Sequence, residues 1–334
     1  MKIAVTGGAG YIGSHAVKAL IEQGHDVIII DNLSTSDLSQ CHPKANFYPI
    51  SIHQTEALTT IFTDEAIDSV MHFAAFSLVQ ESVEHPLKYY HNNVEGTRSL
   101  VEAMIQANVP DLIFSSTAAV YGDADKQPID ENTPMHPKNP YGASKKAIEE
   151  MLHWTAQSER FNYIALRYFN VAGASSDGLI GENHNPETHL IPNIIQSVLN
   201  SGQQFKLFGN DFPTEDGTAI RDYIHVEDLI DAHIRALKHL KKTGKSDVFN
   251  LGSSKGYSVQ NIIDVTEKVL NITLDVDHHP KRTGDPAILI ASTQKAKTIL
   301  GFTCQRNLES MIQSATDYYR KKEVTHAQSN NSAD

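Results

Sequence analysis

Along the first 170 residues, short apolar runs alternate with stretches whose apolar positions recur at helical spacing. Lys2–Thr6, Val27–Ile30, 47–50, 69–73, 111–115 and 163–167 read as strands. Helical patterns run from 11 to about 23, over 55–63, over 86–107 and over 140–158. Strands that are apolar throughout, rather than alternating, are buried on both faces. Their alternation with helices predicts an α/β fold with a doubly wound parallel sheet of the Rossmann type.

After about Val171 the pattern changes. Residues 173–190, rich in Gly, Asn and Ser, read as a loop, followed by a helix over 190–200 and a strand over 205–208. Residues 209–222 form a long polar connection, and loops of that length in compact proteins tend to carry function. A helix over 228–240, a strand over 248–251 and a helix over 258–270 complete the pattern. The expected organisation is a first domain over 1–170, to which 222–252 returns, and a smaller C-terminal α/β domain over 171–320 that binds substrate. The polar residues 321–334 read as a disordered tail.

Two features of the first domain carry chemistry. Gly7, Gly10 and Gly13 lie between a strand and a helix, as a dinucleotide-binding turn requires. Asp31 follows about 20 residues on, at the end of the second strand, where a carboxylate binds the ribose hydroxyls of NAD. No Arg or Lys lies within Asn32–Gln40 to accept the extra phosphate of NADP. The second feature is Tyr141-Gly-Ala-Ser-Lys145, opened by Asn139 as N-cap and Pro140 as first helical residue. Residues four apart share a helix face, so the Tyr141 phenol and Lys145 ammonium can point into one space. A nearby cation favours the phenolate and lowers its pKa. Alone, that spacing is weak, because it recurs by chance in many helices.

Composition narrows the partners. The chain has 334 residues, 40% hydrophobic and 20% charged, with a formal net charge of −12. That field argues against nucleic acid and anionic membranes, and an anionic substrate needs a local Arg cluster. Cys41 and Cys304 are far apart and suit a reducing compartment. With neither a leader pattern nor a long apolar run, the expected location is the cytoplasm. The 17 histidines are scattered without a His-Glu-x-x-His pattern, so no metal is expected.

Several stretches then coincide: Thr6-Gly-Gly-Ala-Gly-Tyr-Ile-Gly-Ser14, His72-Phe-Ala-Ala75, Asn92-Asn93-Val94-Glu95-Gly96-Thr97, Ser115-Ser-Thr-Ala-Ala-Val-Tyr-Gly122 and Asn139-Pro-Tyr-Gly-Ala-Ser-Lys145. Together they resemble the extended short-chain dehydrogenase/reductase superfamily. Arg167-Tyr-Phe-Asn170, the long stretch Phe208–Val226 and Arg282-Thr-Gly-Asp-Pro286 narrow the resemblance to the UDP-glucose 4-epimerase (UDP-galactose 4-epimerase) family, over about residues 1–320.

The resemblance implies reversible, NAD-dependent 4-epimerisation of a UDP-hexose through a 4-keto sugar, in galactose metabolism. Tyr141 would take the 4-hydroxyl proton, Lys145 would assist it, and Thr117 would bridge hydroxyl and phenol. Read without the family, Thr117 is better explained by a bond to backbone. Gly7, Gly10, Tyr11, Ile12, Gly13, Asp31, Asn32, Ser51, Ile52, Phe73, Ala74, Ala75, Asn92 and Phe169 would hold NAD together with Tyr141 and Lys145. Arg221 and Arg282 would neutralise the diphosphate, Asp285 would bind a ribose hydroxyl and Phe208 would lie by the uracil. Asn170, His189 and Leu190 would complete the substrate contacts. On residues alone, Arg221-Asp222 and Arg282 with Asp285 also read as surface ion pairs. Ala118 and Ala119 cannot transfer protons, which disfavours dehydration or decarboxylation. A homodimer through the helices over 86–107 and 140–158 is implied as well.

Departures from the family pattern fall at Ser51, at Ser77 in place of a lysine, and at His189 in place of an asparagine. Leu289 replaces a large tyrosine that narrows the hexose pocket in some members, which leaves room for N-acetylated sugars. Rival readings are a UDP-pentose or UDP-uronate epimerase, a net dehydrogenase and a silent NAD-sensing protein.

Overall fold

The computed structural model describes residues 1–184, 186–199, 204–282 and 285–331, the last seven of them by backbone alone. In chain order, β1 (Lys2–Thr6), α1 (Tyr11–Glu22), β2 (Asp26–Ile30), β3 (Asn46–Tyr48), α2 (Thr55–Asp64) and β4 (Ser69–His72) come first. Then follow α3 (Val79–Glu84), α4 (Pro86–Tyr89), α5 (Gly96–Gln106), β5 (Asp111–Thr117), α6 (Pro140–Ser158) and β6 (Asn162–Tyr168). Next are β7 (Asn170–Ala172), α7 (Leu190–Leu199), β8 (Phe205–Phe208), β9 (Ile220–His225), α8 (Val226–Thr243) and β10 (Asp247–Leu251). The chain closes with β11 (Gly256–Ser258), α9 (Val259–Leu270), β12 (Val276–His279), β13 (Ile288–Leu289), α10 (Gln294–Leu300) and α11 (Leu308–Asn331).

Two compact units result. The first comprises Met1–Tyr168, Ile230–Leu251 and Ser292–Phe302. Its seven strands run in the order β10-β6-β5-β4-β1-β2-β3, and every neighbouring pair is parallel. The fold is therefore the doubly wound α/β sheet expected from the apolar runs. Leu58 and Phe62 of α2, Leu100 and Met104 of α5, and Ile148 and Leu152 of α6 share one core with Phe114 of β5. The second unit comprises Phe169–Leu229, Gly252–Ala291 and the remainder from Thr303. There β11, β9 and β13 form a small sheet, β7 also pairs with β9, and β8 pairs with β12. Its core joins α7, α9 and α11 through Ile194, Ile195, Ile262, Met311 and Ile312. The tail expected from residue 321 continues α11 as far as Asn331, and 332–334 lie outside the described residues. Among the described residues, no helix is long and apolar enough to cross a membrane.

The single helix expected over 86–107 is instead two helices joined by a π-helical turn at Tyr90–Glu95. The insertion turns Asn93 inward, where it is 1% exposed. Its Oδ1 accepts from Phe76 N at 2.9 Å, and its Nδ2 donates to Phe76 O at 3.0 Å and to Ser144 Oγ at 3.2 Å. One amide thus clamps the segment after β4 to α6. π-Turns often mark functional sites.

Beside that clamp, buried His72 joins β1, β4 and α5. Thr97 Oγ1 donates to Asn93 O at 2.6 Å, so it accepts from His72 Nε2 at 2.9 Å. The Thr6 hydroxyl then donates to Nδ1 at 2.6 Å, which requires a neutral ring. Burial, with Lys145 nearby, pushes the His72 pKa down to about 3. An unfolded histidine titrates at about 6.5. Below that pH the unfolded chain takes up a proton that the native ring refuses until about 3, so stability falls as pH drops through the window. The slope from this group is up to about 1.4 kcal/mol per pH unit. In His72→Asn, the urea midpoint should fall less steeply between pH 6 and 4. An unchanged slope would assign the acid sensitivity elsewhere.

Candidate active site

The β1–α1 turn is built for close backbone approach. Gly7 has φ +72°, and a Cβ there would lie 2.6 Å from the Ala74 amide nitrogen. A Cβ on Gly13 would lie 2.0 Å from the Gly7 carbonyl oxygen. Gly10 is the N-cap of α1 and makes no side-chain cap bond, so the helix opens at Tyr11 and Ile12 with no cap side chain over its first turn. Phe73, Ala74 and Ala75 leave the end of β4 half-exposed beside that turn. The Asp31 carboxylate ends β2 and accepts from Ala9 N at 3.1 Å, Leu33 N at 2.9 Å and Ser36 Oγ at 2.8 Å. Asn32 Oδ1 accepts from Ser34 N at 3.1 Å. Ser51 Oγ accepts from His53 N at 3.3 Å, and Ile52 is buried against Gly96. Asn92 Nδ2 donates to Asn93 Oδ1 at 3.0 Å, so Asn93 is the member of the pair that orders this rim. The sequence motif holds both asparagines, but only Asn92 is among the residues expected to hold NAD. Thr97, one turn beyond Asn93, was the available signal. The turn, the open helix end and the carboxylate fit a dinucleotide, whose phosphates suit an uncapped N-terminus.

The second cluster forms where β5 ends. Asn139 Oδ1 accepts from Gly142 N at 2.8 Å and Pro140 opens α6, as the sequence predicted. A Cβ on Gly142 would lie 2.4 Å from Ala119 O, so the helix starts directly against the turn at Ala118–Val120. This contact sets the Tyr141 phenol beside the Thr117 hydroxyl, which acts to lower its pKa. Thr117 Oγ1 also accepts from Ala119 N at 3.1 Å, so the local backbone bond and the contact to the phenol coexist. Lys145 is 2% exposed, and its Nζ donates to Ser115 O at 2.8 Å while lying 4.8 Å from the Phe114 ring centre.

Burial pushes the Tyr141 phenol above its ordinary range, with the Thr117 bond opposing it. Burial likewise pushes the Lys145 ammonium down to about 7, opposed by Glu149. The expectation that Lys145 lowers the phenol pKa is therefore not met by the chain alone. The ammonium is engaged by the Ser115 carbonyl, and burial is the largest influence on the phenol.

Within the second unit, half-buried Arg221 donates from Nη1 to the Ile220 carbonyl at 2.9 Å. Asp222 is not its ion-pair partner. That carboxylate is buried and accepts from Ser253 N and Oγ, both at 2.7 Å, Ser254 N at 3.0 Å and Ala291 N at 3.1 Å. Strand pairing sets Leu289 beside Arg221. The Arg282 guanidinium stacks 4.3 Å from the Phe208 ring, and the His279 ring stacks on Phe208 at 5.2 Å. Asp285 is exposed and donates its amide to Arg282 O at 3.4 Å. Phe169 is buried and Asn170 exposed at the start of β7. Leu190 opens α7, and His189 just before it is bonded to Glu182. That Glu182 contact had no signal in the sequence reading.

Sequence comparison matches residues 3–252 to the NAD dependent epimerase/dehydratase family. The chain belongs to that family. The epimerase/dehydratase match contains Gly7, Asp31, Thr117, Tyr141, Lys145 and Arg221, whereas Arg282 and Asp285 lie beyond it. A UDP-glucose 4-epimerase of Lactobacillus helveticus is 52% identical over 96% of this chain and 97% of its own length. A crystal structure of a UDP-glucose 4-epimerase superposes with a TM-score of 0.94 at 48% identity, covering 97% of this chain and 98% of its own. The Bifidobacterium longum UDP-glucose 4-epimerase, solved with NAD+ and UDP, gives 0.91 at 34% identity, over 97% and 99% of the two chains.

Proposed function

We infer that this protein interconverts UDP-glucose and UDP-galactose by 4-epimerisation, with NAD as resident cofactor. The observation that carries the reading is that one helix start sets the Tyr141 phenol beside Thr117 and buries Lys145 at the end of β5. Gly7, Gly10, Tyr11, Ile12, Gly13, Asp31, Asn32, Ser51, Ile52, Phe73, Ala74, Ala75, Asn92 and Phe169 are assigned to the dinucleotide. When bound, NAD supplies a two-electron acceptor and donor at the sugar carbon.

Tyr141 removes the 4-hydroxyl proton as that carbon is oxidised to the ketone, and returns a proton when the opposite face is reduced. Thr117 holds the hydroxyl in line with the phenol. Lys145, once charged, stabilises the phenolate. Ala118 and Ala119 offer no second acid or base, so the chemistry stops at C4. Arg221 and Arg282 are assigned to the diphosphate, because the guanidinium fork suits phosphate oxygens. Phe208 is assigned to the uracil, Asp285 to a ribose hydroxyl, and Asn170, His189 and Leu190 to the sugar nucleotide. Purified protein given UDP-galactose without added cofactor should form UDP-glucose without net NADH. Stoichiometric NADH would instead indicate a dehydrogenase. The half-buried Leu289 is the basis for extending the substrate range to UDP-GlcNAc, and no turnover of that sugar at saturation would withdraw the extension.

The working form is a cytoplasmic homodimer. Leu87 is 80% exposed and Trp154 67% exposed, with Val79, Val83 and Tyr90 also presented by α3, α4, the π-turn and α6. An apolar group of this kind on adjoining helices is a protein-docking surface. In light scattering after gel filtration, Leu87→Glu should halve the particle mass. A wild type already at 36.9 kDa would overturn the assignment.

A further inference from the structure

The loop entering α7 gathers Glu182, His184, Glu187 and His189, although their spacing follows no familiar metal motif. One ligand atom of each lies within 4.8 Å of all the others. Glu182 Oε1 is 3.0 Å from His184 Nδ1 and also meets His189 Nδ1. Glu187 Oε1 is 4.0 Å from His184 Nδ1 and 3.9 Å from His189 Nδ1. Both carboxylate side chains are only 4% exposed. A proton shared by Glu182 and His189 would account for that one contact. It leaves Glu187 Oε2 buried with no hydrogen-bond partner, and His184 Nδ1 without a properly directed one. A buried charged group left unsatisfied costs more than a neutral one.

We propose that Glu182, His184, Glu187 and His189 form a site for one divalent metal ion of the zinc class. Two imidazoles with two carboxylates suit zinc better than magnesium or calcium, which favour oxygen-only shells. The two carboxylates balance the dication, with both rings neutral. Four protein ligands close a tetrahedron, which makes the site structural rather than catalytic. Its surroundings are fixed to α11. Tyr319 OH donates to Glu182 O at 2.9 Å, Lys322 Nζ donates to Asn183 Oδ1 at 2.5 Å, and a Cβ on Gly181 would lie 2.4 Å from the Tyr318 ring. The ion would tie the segment carrying His189 and Leu190 to this frame.

The test uses the full-length protein, stripped with a chelator, reloaded with zinc chloride and desalted. Elemental analysis should find one Zn2+ per chain, and cobalt substitution should give the visible absorption of a tetrahedral ion. His184→Ala and Glu187→Gln should each weaken Zn2+ binding by at least ~10-fold, as loss of even an outer partner of a metal ligand does. Circular dichroism of both variants checks their folding, and the wild-type stoichiometry is decisive in either case. Substoichiometric zinc in the wild type, or folded variants that hold zinc as tightly, would overturn the site.

Discussion

Tyr141→Phe lowers kcat for UDP-galactose by about 10²- to 10⁴-fold, the usual contribution of a positioned acid/base. The hydroxyl is the only part removed, and the ring keeps its edge contact with Tyr89, 6.5 Å between centres. The Gly7 turn and Asp31 are untouched, so NAD extracted per chain should match the wild type. KM should move little, because the lost interaction belongs to the transition state. A single-turnover assay with NAD quantified in the same preparation separates the two quantities. Turnover within tenfold of the wild type would mean that another group moves the proton. Loss of NAD together with activity would mean that the hydroxyl serves binding instead.

Arg167→Leu destabilises the first unit by about 3–5 kcal/mol, the cost of leaving a buried charge unpaired. Arg167 and Glu149 are 6% and 4% exposed, with Nη2 at 2.5 Å from Oε2 and Nε at 3.0 Å from Oε1. The same guanidinium donates to Tyr121 OH at 2.9 Å, and Tyr121 donates to Asn250 Oδ1 at 2.7 Å. Ser116 Oγ donates to Glu149 Oε1 at 2.5 Å, directly before Thr117. The network therefore joins β5, β6, α6 and β10 under the end of the strand that presents Thr117. Adding Glu149→Met to Arg167→Leu should recover part of the loss, because both charges are then gone. Urea titrations of the single and double variants provide the measurement. A single variant within about 1 kcal/mol of the wild type would show the pair to be solvated.

Much of this was legible in the chain. Uniformly apolar runs announce strands covered on both faces, and Asn139-Pro140 announces the start of α6 through local chemistry. Gly7 and Gly13 were readable because only glycine tolerates the contacts seen at those positions. What stayed hidden depended on contacts between distant segments. Asn93 looks no different from Asn92 until Phe76 and Ser144 arrive to bind it. Asp222 reads as a partner for its neighbour Arg221, but residues from 253 to 291 claim both of its oxygens. The direction of the Tyr141 shift depends on how much water the fold removes, and helical spacing carries no information about that.

The route of the chain through the first unit bears on how it is made. β10 completes the sheet edge beside β6, with Asn250 in register with Arg167, and Lys295 Nζ then bonds Asp247 at 2.5 Å and the Val248 carbonyl at 2.8 Å. During translation, β6 emerges from the ribosome about 80 residues before β10, and synthesis runs at roughly 5–20 residues per second. For several seconds the nascent sheet carries an open, apolar parallel edge at β6, the kind of surface that pairs with a neighbouring chain. Slow translation through residues 169–246 would lengthen that exposure, whereas a chaperone held at β6 until β10 arrives would shorten it.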